Sequence, residues 1–155
     1  MERTELHEVL RLERVFAVAP EKVWRAWTDA EALRVWFGQS EAPEWAAELD
    51  VRVGGRYRLV LRHPRGFSYR VSGVFREVAP PTFTTIGRLV FTWKQEGAPA
   101  EGDSLITVEL RRRSESEGGG TALSFTQDPM FDPEARDGWR ADFRRLGNIL
   151  QQTRN

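Results

Sequence analysis

Leu10 to Val18 (LRLERVFAV) alternates apolar and polar positions and then turns wholly apolar, the pattern of a strand entering a core. Pro20 follows, a residue suited to the first turn of a helix, with Val23, Trp24 and Trp27 on one face of that helix. Thr28-Asp-Ala-Glu31 has the form of a capping box and predicts a second helix with its own start. Leu33, Trp36 and Phe37 give that helix a core-facing side, and Gly38 is its predicted stop. Two short helices therefore fit better than one long one.

From Ala47 to Gln127 the period changes to two. Ala47, Leu49, Val51 and Val53 alternate with Glu48, Asp50 and Arg52, and Gly54-Gly55 then predicts a tight hairpin. The returning strand places Tyr57, Leu59 and Leu61 inside, with Arg56, Arg58 and Arg62 outside. After a turn at His63-Pro-Arg-Gly66, the residues Phe67, Tyr69, Val71, Gly73 and Phe75 share one face of a long strand that Pro80-Pro81 ends. Arg88 to Trp93, Ser104 to Leu110 and Thr121 to Gln127 are the remaining predicted strands. Gly97 to Asp103 and Ser114 to Gly120 separate them as polar surface loops.

The last segment reads as a long helix, capped by Asp132 and opened by Pro133. Ala135, Trp139, Phe143, Leu146 and Leu150 trace its apolar stripe, widened by Ile149, while Arg136, Arg140, Arg144 and Arg145 are expected opposite. Gly138 is out of place in a helix interior, where it costs ~1 kcal/mol relative to alanine. Close approach to the sheet or to a ligand would account for it, as would a frayed first turn. The order strand, two short helices, six strands, long helix makes an α+β domain. Its simplest form is an antiparallel sheet with the helices gathered on one face.

Composition narrows the chemistry. A length of 155 residues suits one domain, 1–155, and no second domain or repeat is visible. There is no cysteine, hence no disulfide, thiolate metal site or cysteine nucleophile. With only His7 and His63 to offer imidazole, no metal centre is expected. The 23 basic and 23 acidic residues cancel, which removes the field that favours nucleic acid. The basic run Arg111-Arg-Arg113 reads as a hairpin end balanced by Glu115 and Glu117. No apolar run approaches the ~20 residues that cross a bilayer, and the polar N-terminus is unlike a secretory signal, so a cytoplasmic location is expected. Exposed sheet edges fit a monomer or a homodimer.

The residues also carry a family resemblance. Phe16-Ala-Val-Ala-Pro-Glu-Lys-Val-Trp24, Trp36-Phe37-Gly38, Asp50-Val-Arg-Val-Gly-Gly-Arg-Tyr-Arg58, Gly73-Val-Phe-Arg-Glu-Val-Ala-Pro-Pro81, Arg88-Leu-Val-Phe-Thr-Trp93, Gly120-Thr121 and Gly138-Trp139 occur in the order seen in homologues of the activator of the heat-shock protein chaperone ATPase. That family lies within the START-like, or helix-grip, superfamily, which the order of elements also resembles and in which a curved sheet of about seven strands wraps a long C-terminal helix. The resemblance implies a cavity for something apolar between helix and sheet, or a surface for a protein partner such as a chaperone, with a link to stress response. At Gln127 many relatives carry histidine, so no role is carried over to it.

The candidate ligand-binding set is Trp27, Trp36, Phe37, Tyr57, Leu59, Phe67, Tyr69, Phe75, Phe91, Trp93, Phe125, Met130, Phe131, Trp139 and Phe143. Such rings wall an apolar cavity or simply fill a core, and tyrosine hydroxyls would orient a ligand. Met130 and Phe131 would make a lip at the cavity mouth, or a staple at the helix start. Catalysis has little support: the chain has no nucleophile elbow, phosphate loop or zinc-protease signature, and no catalytic residue or cofactor is assigned. A small hydrophobic or aromatic molecule, bound without chemistry, is the leading expectation. A protein-interaction module and a polyketide cyclase-like enzyme, the latter relying on Tyr57, Tyr69 or Arg56, are the alternatives.

Overall fold

The computed structural model describes residues 8–38, 44–62, 68–96 and 103–152. Its elements are β1 (Glu8–Phe16), α1 (Pro20–Thr28), α2 (Ala30–Trp36), β2 (Glu44–Leu49), β3 (Arg56–Arg62), β4 (Ser68–Ala79), β5 (Gly87–Gln95), β6 (Ser104–Arg112), β7 (Thr121–Met130) and α3 (Ala135–Gln152). The strands form one antiparallel sheet of seven in the order β1-β7-β6-β5-β4-β3-β2. The sheet is curved, and bulges between Glu8 and Leu10 and between Phe75 and Glu77 are the local bends the register shows.

Period-two alternation becomes burial strand by strand. In β3 the residues Tyr57, Leu59 and Leu61 are buried between exposed Arg56, Arg58 and Arg62. In β7 the inward set is Thr121, Leu123, Phe125 and Gln127. Against this face lie Val23, Ala26 and Trp27 of α1, Leu33 and Trp36 of α2, and Trp139, Phe143, Leu146 and Leu150 of α3, all buried. The core is thus the concave side of the sheet, filled by three helices.

Four boundaries differ from the sequence expectation. Thr28 is still helical and its hydroxyl donates to the Trp24 carbonyl at 2.8 Å; the N-cap of α2 is Asp29, in extended backbone, whose carboxylate accepts from Glu31 N at 2.9 Å. β2 stops at Leu49, and the alternation beyond it belongs to a turn that leaves Val53 65% exposed. β7 continues past Gln127 to Met130, because proline lacks only a donor and the Pro129 carbonyl still accepts from Ser104 Oγ at 2.6 Å. α3 begins at Ala135 rather than Pro133, with Asp132 capping the preceding turn through Glu134 N at 2.9 Å. A capping box does occur, at Ser114–Glu117 around a short 3₁₀ turn. The basic run is charge-balanced only in part by the expected partners: Arg111 pairs with Glu117, but Arg112 reaches Glu21 of α1, and Arg113 bonds backbone carbonyls.

Gly73 is a position where the sheet admits no side chain. A Cβ there would stand 1.9 Å from the Thr92 carbonyl oxygen and 2.6 Å from the Tyr57 ring. That closeness lets the buried Tyr57 hydroxyl donate to the same carbonyl at 2.6 Å. Because the clash is with backbone, Gly73→Ala is expected to cost about 1–3 kcal/mol or more, read as a lower urea midpoint. An unchanged midpoint would show that the strands separate more easily than this geometry allows.

Candidate functional site

The concave side of the sheet holds two spaces of different kind. Inside, the rings meet one another. Trp27 lies 4.9 Å from Trp36, Phe125 lies 4.7 Å from Trp139 and 5.3 Å from Phe143, and Tyr57, Phe75 and Phe91 form a triangle with centroids 5.6 to 6.0 Å apart. What remains among them is a cavity of about 30 Å³, lined by Trp27, Leu33, Phe37, Leu49, Tyr57, Leu59, Phe75, Leu89, Phe91, Trp93 and Trp139. That is the scale of one water molecule, not of a ligand. Of the apolar space expected between sheet and C-terminal helix, this inner part is filled by the aromatic side chains themselves.

The second space is a groove of about 290 Å³ where the first turns of α3 approach β3, β4, β5 and β7. Phe37, Leu61, Tyr69, Trp93 and Trp139 wall it; Gln95, Gln127, Asp132, Glu134 and Asp142 supply polar groups, and Gly38, Ala135 and Gly138 complete it. Phe37, Trp93 and Trp139 form an aromatic corner, with centroids 5.2 to 5.7 Å apart. These three rings also line the inner cavity, so they are the wall between the two spaces. The volume sits at the lower end of ligand pockets.

Each groove residue is held by an identifiable neighbour. Trp139 donates its indole N–H to Gln127 Oε1 at 3.1 Å, joining α3 to β7 at the groove floor. Gly38, at φ +87, turns the chain out of α2 in a conformation that side chains rarely adopt, and its N–H donates to Asp142 Oδ1 at 3.3 Å. Arg145, one turn along α3, also bonds Asp142 Oδ1, while its Nε reaches the Trp36 carbonyl at 3.0 Å. Helix α3 is thereby tied to the end of α2 by charge as well as by packing. Gly138 leaves a gap: a Cβ there would meet no atom within 4 Å.

Burial tunes the titratable groups. Desolvation raises the Asp142 carboxyl from 3.8 to about 7, against the opposing pull of Arg145 and the Gly38 N–H. Tyr69 is pushed up to about 12, first by burial and then by the nearby Asp142 and Asp132, so it stays a neutral phenol. Tyr57 is raised well above its ordinary value by burial, and its hydroxyl is committed to Thr92 rather than to a ligand. Among the described residues no group of three or more acidic or imidazole side chains is arranged to hold a metal ion.

Of the sequence-derived candidates, Phe37, Tyr69, Trp93 and Trp139 meet at the groove. Trp27, Tyr57, Leu59, Phe75 and Phe91 line the inner cavity, and Trp36, Phe125 and Phe143 are packed core. Met130 and Phe131 are half-buried beside the entry to α3 and do not line the groove. Phe67, like His7 and His63, lies outside the described residues. Asp142 was not among the candidates, and Arg145 was assigned to the solvent face, where the structure instead half-buries it. The signal was present: Asp142 falls at helical spacing within the stripe of Trp139, Phe143 and Leu146, with an arginine three residues on.

A curved seven-stranded antiparallel sheet around a C-terminal helix, with a groove at the helix start, defines a helix-grip domain of the START-like class. The chain belongs to the family described as Activator of Hsp90 ATPase homolog 1-like protein, which matches residues 17–151. Among solved structures it is similar to a protein of Chromobacterium violaceum (26% identity, TM-score 0.76, covering 93% of this chain and 98% of that one). It is also similar to a protein of Nitrosomonas europaea (26%, 0.69, 96% and 97%) and one of Rhodobacter sphaeroides (26%, 0.71, 96% and 95%). A search of curated proteins found no match. No helix among the described residues is long and apolar enough to cross a membrane.

Proposed function

We propose that this domain binds a small aromatic molecule, without transforming it, in the groove between the start of α3 and the sheet. The observation that carries this reading is the groove of about 290 Å³ with the corner of Phe37, Trp93 and Trp139 on one side. A cavity of ~150 Å³ accommodates benzene, so this space suits one ring with substituents or two fused rings. Burial against the rings drives association at ~25 cal/mol per Å² of apolar area, less the cost of ordering the ligand. Gln127 and the Tyr69 phenol add polar groups that orient what the rings hold.

Gly138 gives a direct test. Gly138 lines the groove and a Cβ there meets nothing within 4 Å, so Gly138→Leu is expected to take up groove space, and leucine is the better helix former by up to ~1 kcal/mol. The expected result is a thermal midpoint that is unchanged or higher, with affinity for one- and two-ring aromatics reduced at least about tenfold, or ~1.4 kcal/mol. Titration calorimetry or fluorescence of the groove tryptophans measures it. Unchanged affinity in that variant would remove the groove as the site.

Asp142 favours one second reading. A carboxyl near pH 7 beside an aromatic pocket is suited to donating and accepting protons, as in cyclase-like chemistry. Turnover of a cyclisable polyketide that disappears in Asp142→Asn, with ligand binding retained, would support it. The protein-docking reading has less behind it: the exposed large apolar side chains Val15, Val35, Val53, Phe83, Ile86 and Leu105 lie on separate elements, except that Phe83 and Ile86 share the turn between β4 and β5.

A further inference from the structure

We infer that the groove selects organic cations: an aromatic ring carrying an ammonium group, in preference to a neutral or anionic molecule of the same shape. The inference rests on the groove being a ligand site, and concerns what that site chooses. Among the described residues its lining contains three carboxyl groups, on Asp132, Glu134 and Asp142, and no arginine or lysine. The chain as a whole has 23 basic and 23 acidic residues, almost all of the basic ones arginine, so a lining with acids alone is a local departure from a balanced surface.

The carboxyl groups by themselves would not define a ligand. The aromatic corner beside them does, because the faces of indole and phenyl rings carry negative potential and attract cations held within ~6 Å. Phe37, Trp93 and Trp139 all line the groove and stand inclined to one another, with interplanar angles of 49 to 77°. Rings of this kind beside acids complement an ammonium with apolar substituents and repel a carboxylate. Arg145 does not line the groove but pairs with Asp142 and bonds the carbonyls of Trp36 and Gly38, so the uncompensated acids of the lining are Asp132 and Glu134. Asp132 and Glu134, both exposed at the rim, form no ion pair with another described residue.

Three probes with one ring system separate the outcomes: 2-naphthylmethyl-trimethylammonium, 2-naphthalenemethanol and 2-naphthylacetate, titrated into the whole chain at low and high salt. The cation is expected to bind at least about tenfold more tightly than the anion, with the preference shrinking as salt rises. In the double variant Asp132→Asn/Glu134→Gln the preference for the cation over the alcohol and the anion should fall by about threefold or more. Asparagine retains the side-chain acceptor that bonds Glu134 N, so this variant is expected to fold. Equal or tighter binding of the alcohol or the anion would overturn the inference and leave the groove standing as an aromatic site. An unchanged preference in the double variant would overturn it too. Binding of none of the three would sink the groove itself.

Discussion

Trp139→Ala is expected to destabilise the chain by about 3–5 kcal/mol, the range for truncating a large buried aromatic. The indole is 5% exposed and touches rings on four elements and on the residue after α2: Trp27 at 6.2 Å, Phe37 at 5.6 Å, Trp93 at 5.2 Å, Phe125 at 4.7 Å and Phe143 at 5.7 Å. Its removal also strands Gln127 Oε1, which is worth about 1 kcal/mol or more for a buried acceptor left without a donor. Because Trp139 walls both spaces, the variant joins the inner cavity to the groove. Added indole should therefore raise its urea midpoint and leave that of the original protein nearly unchanged. A loss below about 1 kcal/mol, or no rescue by indole, would contradict the central position given to this ring.

The second large effect is a pH-dependent one at Asp142. Its carboxyl titrates near 7 in the folded chain, mainly through desolvation, and near 3.8 when unfolded. Between those values the folded chain holds a proton that the unfolded chain has released. Stability therefore falls as pH rises through that window and reaches its full penalty above 7, on the order of a few kcal/mol. Asp142→Asn lacks the window, so its stability relative to the original protein should increase from pH 5 to pH 8. Arg145→Met acts in the opposite sense. It leaves a buried carboxylate without its guanidinium, and the expected cost at pH 8 is about 3–5 kcal/mol, shrinking below pH 6 as the acid takes up a proton. Urea unfolding of the three proteins at pH 5.5 and 8 measures both. A pH-independent difference would show that Asp142 is not the group that titrates.

Alternation and punctuation were enough to read most of the fold. Tyr57, Leu59 and Leu61 are buried where a period of two puts them, and Gly54-Gly55 does join β2 to β3, with Gly54 at φ +85. Boundaries failed where one group did the work assigned to another. Thr28 satisfies a carbonyl behind it, so Asp29 became the cap. The strand expected to end at Gln127 runs on to Met130, and the Pro129 carbonyl accepts from Ser104 Oγ. The site was less legible for a different reason. A list of aromatic residues does not say which rings face one another and which face solvent, and four of the fourteen described candidates meet at the groove. Asp142 escaped because acids are presumed solvated, whereas this one is held by Gly38 and Arg145, from α2's end and its own helix.

The edge position of β1 has a consequence for synthesis. Its only partner in the sheet is β7, and the register joins Phe16 to Thr121. β1 must wait for a strand made about a hundred residues later, about 5–20 s at elongation rates of ~5–20 residues per second. During that interval Leu10, Leu12 and Phe16, all 5% exposed or less in the finished domain, lack β7 and α3, the elements that pack against β1. The nascent chain is thus a better client for a holding factor than the mature protein, and a stalled translation product ending before β7 should aggregate.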